Sequence, residues 1–90
     1  MTSDRAAVIA LNALGHIAGD EELLRRFCRE SGMDAAGLGA VAEEPAFLGG
    51  VLDFMLADEA RLLAFCNAHD IPPDEPARAR RALPGGEDDA

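Results

Sequence analysis

Apolar residues recur at helical spacing along this chain of 90 residues, and acidic, glycine and proline positions divide them into six segments. The second segment, Glu21–Ser31, has the clearest pattern, with charged side chains on the face opposite an apolar stripe. That stripe comprises Leu23, Leu24, Phe27 and Cys28. Asp20 and Gly32 suit the N-cap and the left-handed position after the last turn. The pattern predicts an amphipathic helix with Phe27 in the core.

The fifth segment, from Glu59 to about Ala68, has the same character and follows the N-cap candidate Asp58. Its predicted inner stripe consists of Leu62, Leu63, Phe65 and Cys66. The first segment, Arg5 to Ala18, and the fourth, Pro45 to Ala57, are apolar on most sides. We therefore expect other helices to enclose both, with the fourth at the centre of the fold.

Two adjacent glycines, Gly49 and Gly50, interrupt the fourth segment. Glycine weakens a helix interior, so we expect another backbone to approach closely there. The third segment, Asp34 to about Ala42, and the sixth, Glu75 to Leu83, are short, and Asp34 and Asp74 are their N-cap candidates.

These patterns predict an all-α fold, a compact bundle of five to six short helices. Residues 5–83 form a single domain, flanked by an N-terminal tail (1–4) and a disordered acidic tail (84–90). Residues 9–34 and 47–72 also align at an offset of 38 positions, which matches Phe27 with Phe65 and Cys28 with Cys66. Either duplication, giving two pseudo-repeated three-helix halves, or convergence on a common helical pattern explains the match.

The charge of the chain limits the kinds of partner that it can bind. The formal net charge is −9, and every basic residue is an arginine. Such a chain is poorly suited to nucleic acids or anionic membranes, which attract clustered positive charge. No segment approaches the roughly 20 apolar residues of a membrane span. Residues 1–4 lack the features of a secretion signal, so we expect a cytoplasmic protein with reduced thiols.

Cys28 and Cys66 are the first candidates for chemistry, since they occupy equivalent positions in the two aligned segments. Their place in apolar stripes favours buried, inert thiols, with a redox switch as the alternative. Cys66 and His69 have a spacing that suits two metal ligands, but the aligned segment has Ser31 in place of the histidine. His16 joins such a site only through the tertiary fold. We therefore expect no metal and no cofactor.

A possible interaction surface comprises Asp53, Arg78, Arg80 and Arg81. Asp53 is the lone acid in the most apolar helix, and it is either paired with an arginine such as Arg61 or exposed. The three other arginines suit an anion or an acidic partner helix, or simply a solvated helix end. No pattern typical of a catalytic site is present, so we expect no enzyme activity.

Residues 47–59, FLGGVLDFMLADE, continuing to Leu62, Leu63 and Phe65, resemble the core of a small bacterial family. That family occurs mainly in alphaproteobacteria and is catalogued as a domain of unknown function. The segment from Leu14 to Met33 and the C-terminal segment Arg80–Leu83 also resemble that family. The resemblance implies a short, cytoplasmic helical protein and transfers no activity, cofactor or catalytic residue.

The favoured hypothesis is a non-enzymatic protein-interaction module that binds an unknown protein partner or forms a homodimer. It depends on surplus apolar surface from the first and fourth helices. The alternative is a thiol- or metal-dependent regulatory protein using Cys28 and Cys66. A third hypothesis is a carrier with a small-ligand pocket among the phenylalanine and methionine side chains.

Overall fold

The computed structural model describes residues 1–85, which form six α-helices and one short 3₁₀ helix without any strand. The α-helices are α1 (Ser3–Ala18), α2 (Glu21–Ser31), α3 (Leu38–Val41), α4 (Pro45–Leu56), α5 (Glu59–His69) and α6 (Glu75–Arg81). The 3₁₀ helix, Ala35–Gly37, directly precedes α3. The predicted all-α bundle is confirmed. Residues 86–90, most of the predicted acidic tail, lie outside the described residues.

The ends of α2 and α5 follow the capping residues in the sequence. Asp20 accepts hydrogen bonds from two backbone N–H groups of α2, and Asp58 accepts one from the N–H of Arg61. Each helix ends where the next residue adopts a left-handed conformation, Gly32 with φ 76° and Asp70 with φ 57°. These two residues are 38 positions apart, so the helix ends coincide with the offset seen in the sequence.

One predicted helix start and two predicted N-caps differ from the structure. The first helix begins at Ser3, two residues before the expected start, because the Thr2 hydroxyl oxygen accepts a hydrogen bond from the Arg5 N–H. Ser3 and Asp4 therefore belong to α1 and not to an N-terminal tail. Asp34 and Asp74 precede their helices without forming a side-chain cap.

The core lies where α1, α4 and α6 pack against one another, with α2 against α1 and α5 against α4. Its buried members from α1 and α4 are Ala6, Ile9, Ala10, Ala13, Ile17, Leu48, Val51, Leu52, Phe54 and Met55. Phe27 and Phe65 are also buried, as the stripes predicted. The small residues Ala10, Ala13 and Ala79 are fully buried, which suits the close approach of α1 and α6.

Three large apolar side chains point outward, contrary to the sequence pattern. Val8 and Leu11 on α1 are 47% and 42% exposed, so this helix is less enclosed than expected. Leu63 on α5 is 39% exposed, and its assignment to the inner stripe was wrong. Since Leu62 packs against the core, the neighbouring Leu63 is turned about 100° away from it.

The two three-helix segments do not pack equivalently. Helix α6 contacts both α1 and α4, whereas α3 contacts chiefly the 3₁₀ helix before it. The two glycines Gly37 and Gly39 weaken helix formation there. The internal repeat therefore stays a prediction from the sequence.

Candidate functional site

Asp53 and Arg80, two of the predicted surface residues, pair with each other across α4 and α6. The Arg80 Nε–H donates to Asp53 Oδ1 at 2.7 Å, and Nη2–H donates to Oδ2 at 3.0 Å. Nη1–H of the same guanidinium donates to the Pro84 carbonyl oxygen at 3.0 Å. The side chain of Arg80 is only 17% exposed and that of Asp53 is 58% exposed. Arg80 is thus occupied in joining α6 and the following residues to α4.

The other two predicted surface residues are not brought into this pair. Arg78 forms an exposed ion pair with Asp74 on its own helix, and Arg81 is exposed. Arg61, the suggested partner of Asp53, instead donates two hydrogen bonds to the Phe54 carbonyl oxygen. Its guanidinium also stacks 3.8 Å from the centre of the Phe54 ring. The suggested pairing of Asp53 with Arg61 was wrong.

The two glycines of α4 have different surroundings. A Cβ atom on Gly49 would lie 2.5 Å from Arg80 Nη1 and 3.3 Å from the Pro84 carbonyl oxygen. The expected close approach of another backbone is therefore found at Gly49. A Cβ atom on Gly50 would meet nothing within 4 Å. Gly50 instead lines a small open pocket between α2 and α4.

An open groove of about 580 Å³ lies between α2 and α5. Four of the eight arginines of the chain line it: Arg25, Arg26, Arg29 and Arg61. Three carboxylates also line this arginine groove, and they are Asp20, Glu22 and Asp58. Two of these three cap helix N-termini, which leaves the arginines of α2 as the prominent charged groups along the wall.

Arg25, Arg26 and Arg29 have no ion pair within residues 1–85. The spacing of α2 permits pairing of Arg26 with Glu22, yet no such contact forms. An exposed pair of this kind contributes only about 0.2–0.5 kcal/mol, too little to hold long side chains in one conformation. The three guanidinium groups are therefore available to an anionic partner.

The arginine groove also has aliphatic side chains in its lining. Leu23, Ala60 and Ala64 line it. The exposed Leu63 is not part of this lining, but it lies beside Ala60 on α5, because residues three apart are neighbours on a helix surface. A row of positive charge thus runs beside a strip of exposed aliphatic surface.

Two histidines meet at one end of the arginine groove. The ring centres of His16 and His69 are 5.4 Å apart, and both rings contact Phe65. Burial lowers the pKa of His16 below its ordinary value of 6.5, and the neighbouring His69 lowers it further, while Asp20 opposes both effects. A protonated His16 is therefore disfavoured in the folded protein.

The thiols lie in different environments. Cys66 is buried, and burial followed by the charge of Glu75 raises its pKa above 9.0. Cys28 is partly exposed. A raised pKa reduces the thiolate fraction, so Cys66 lacks the properties of a reactive thiol. In the part of the chain that the structure describes, no group of three or more His, Cys, Asp or Glu side chains is arranged to hold a metal ion.

None of the helices between residues 1 and 85 has the length and apolar character needed to cross a membrane. The model of a family described as a protein of unknown function (DUF3572) matches residues 3–86. The chain belongs to the DUF3572 family. The match spans nearly the whole sequence, so the fold described above is that of the family domain. The expected membership of a family of unknown function is confirmed, while its bacterial distribution stays a prediction.

No curated protein and no solved structure matches the chain. Its function must therefore be inferred from the residues themselves. Sequence patterns identified Asp53 and Arg80 as surface residues. They missed the arginine groove and the pocket at Gly50, and they placed Leu63 in the core. The one available signal was the arginine-rich outer face of α2, which was interpreted as the solvated side of an amphipathic helix.

Proposed function

We propose that this protein is a non-enzymatic protein-interaction module whose arginine groove binds an acidic, amphipathic helical segment of a partner protein. The observation that carries the proposal is the row of Arg25, Arg26 and Arg29 beside the exposed aliphatic face of α5.

The chemistry of the arginine groove selects its occupant. Carboxylates on one side of a partner helix would accept charge-assisted hydrogen bonds from the guanidinium groups. Leucine-type side chains on its other side would cover Ala60, Leu63 and Ala64, as in helix-in-groove recognition. A free inorganic anion would use only the first of these features, so an acidic amphipathic helix is the better fit.

Homodimer formation has less support than binding to another protein. A stable interface buries about 800 Å² on each partner. Only four large apolar side chains are exposed among the described residues: Met1, Val8, Leu11 and Leu63. They do not belong to one helix face, which makes a large apolar dimer interface difficult to assemble.

A synthetic helix tests the proposal. The probe is a fluorescein-labelled peptide of about 18 residues with leucine at helical spacing and glutamate elsewhere, and its twin carries lysine in place of glutamate. Fluorescence anisotropy should show saturable binding of the glutamate peptide that weakens as salt rises from about 0.05 to 0.5 M, because salt screens exposed charges. The lysine twin should not bind.

Matched variants assign the binding to the arginine groove. Arg26→Glu/Arg29→Glu should weaken binding about tenfold or more, equivalent to a loss of at least about 1.4 kcal/mol. Arg78→Glu/Arg81→Glu changes the net charge equally on another helix and should leave the affinity within about twofold. Leu63→Asp should weaken binding, whereas Leu11→Asp, at similar exposure, should not. Equal effects of each variant and its control would refute the assignment.

A further inference from the structure

We propose that the pocket between α2 and α4 is a second binding site, which accepts a single arginine side chain of a partner protein. This pocket, the α2–α4 socket, has a volume of about 230 Å³. It is lined by Phe27, Glu30, Ser31, Gly50, Asp53, Phe54 and Ala57. The proposal does not depend on the arginine groove, because the two sites share no lining residue.

The apolar part of the socket comes from two aromatic rings and two small residues. The Phe27 and Phe54 rings pack edge to face with their centres 5.2 Å apart. Gly50 and the C-cap residue Ala57 lie about two helical turns apart along α4, and neither carries a side chain long enough to fill the space between the helices. The methylene stem of a long side chain can therefore lie against the rings.

Gly50 has no role inside the chain that explains a glycine. Glycine weakens a helix interior, and no atom within 4 Å would obstruct a Cβ atom at this position. At the adjacent Gly49 the obstruction is clear, since Arg80 and Pro84 occupy the space. A methyl group on Gly50 would instead reduce the volume of the socket. Binding of a guest side chain in the socket would therefore explain why this position is a glycine.

Charge at the rim selects a basic guest. Glu30 and Asp53 both line the socket, and Glu30 has no ion pair among residues 1–85. Asp53 already accepts two hydrogen bonds from Arg80, which leaves Glu30 as the main acceptor for a guest. The Ser31 hydroxyl group also lines the socket, but it already hydrogen-bonds to the Cys28 carbonyl oxygen and the Met33 N–H. The net charge of −9 also attracts a basic partner over longer distances.

Arginine suits this site better than lysine or a small metabolite. Its planar guanidinium presents several N–H donors to a carboxylate and is weakly hydrated, whereas an ammonium group is compact and more strongly hydrated. Pockets for small molecules usually have volumes of about 300–1,000 Å³. The α2–α4 socket is smaller than that range and matches the volume of one long side chain.

The test uses nuclear magnetic resonance with a capped Gly-Arg-Gly peptide and its citrulline twin, which has the same shape but no charge. We expect saturable shifts with a dissociation constant of about 1–10 mM, confined to the amides of Ser31, Gly50 and their neighbours. The citrulline peptide should bind at least about fivefold more weakly. Equal binding of both peptides, or shifts confined to the arginine groove, would overturn the proposal.

Two variants separate binding from folding. Gly50→Leu should fill the socket and weaken binding of the arginine peptide about tenfold or more. The melting temperature of this variant should stay at or above that of the wild type, because leucine favours helix. Glu30→Gln should weaken binding about fivefold, and Glu59→Gln, an exposed acid outside the socket, should have no effect. Unchanged binding by Gly50→Leu would contradict the proposal.

Discussion

The guanidinium group of Arg80 occupies the space in which a side chain at Gly49 would begin. A Cβ atom there would lie 2.5 Å from Nη1 and 3.0 Å from Cζ. Asp53, one helical turn after Gly49, then receives the guanidinium through two hydrogen bonds. Gly49 and Asp53 thus act together on α4: the first admits the arginine and the second binds it.

Substitution of the two glycines should have opposite effects on stability. Gly49→Ala should lower the free energy of unfolding by about 1–3 kcal/mol, because the methyl group displaces Arg80 from Asp53. Gly50→Ala should raise it by up to about 1 kcal/mol, because alanine favours helix and the new methyl group meets nothing. Urea denaturation monitored by circular dichroism measures both. Stabilisation by both variants would show that the arginine moves aside at little cost.

The pair of Asp53 and Arg80 should contribute modestly to stability. A double-mutant cycle of Asp53→Asn and Arg80→Gln should give a coupling energy of about 1 kcal/mol, since the pair is bidentate but Asp53 is largely exposed. A control cycle of Asp74→Asn and Arg78→Gln, a pair in which both side chains are exposed, should give at most about 0.5 kcal/mol. Equal coupling energies in the two cycles would show that the pair of Asp53 and Arg80 contributes no more to stability than an ordinary exposed ion pair.

Stability should depend on the protonation of His16. Its folded-state pKa lies below the ordinary value of 6.5, so the unfolded chain binds the proton more readily. The stabilising contribution is therefore fully present above pH 6.5 and is lost as the pH falls through the folded-state pKa. His16→Gln should flatten this part of the pH profile in urea denaturation.

His69→Gln serves as the matched control for the histidine prediction. It should retain most of the pH dependence, because burial is the first cause of the lowered pKa of His16 and the charge of His69 is the second. A profile unchanged by His16→Gln would show that other groups cause the loss of stability at acid pH.

The two thiols should react at different rates. In the native protein, iodoacetamide should modify the partly exposed Cys28 faster than the buried Cys66, whose raised pKa also reduces its thiolate fraction. Mass spectrometry after timed labelling measures both sites, and the difference should disappear in denaturant. Rapid labelling of native Cys66 would instead support the thiol-dependent regulatory alternative.

The sequence predicted features that depend on neighbours along one helix. The bounds of α2, its capping by Asp20 and the burial of Phe27 and Phe65 all followed from local pattern. The assignment of Leu63 to the core failed, because adjacent apolar residues give no indication of which one faces inward.

Contacts between helices were beyond the reach of local pattern. Arg80 lies 27 residues after Asp53, so only the packing of α6 against α4 reveals their pairing. The arginine groove likewise forms only because the fold brings side chains of α2 and α5 to the same open space. The sequence showed Arg25 and Arg26 as ordinary solvated residues of an amphipathic helix, which they would be without the opposing wall.

The central claim is that the arginine groove between α2 and α5 recognises an acidic amphipathic helix. The most direct measurement is amide hydrogen exchange of the protein with and without the glutamate–leucine peptide described above. We expect the peptide to slow amide exchange in α2 and α5 and to leave exchange in α3 and α6 unchanged. The Arg26→Glu/Arg29→Glu variant should lose this protection. Protection spread evenly over the helices, or centred on Val8 and Leu11 of α1, would contradict this claim.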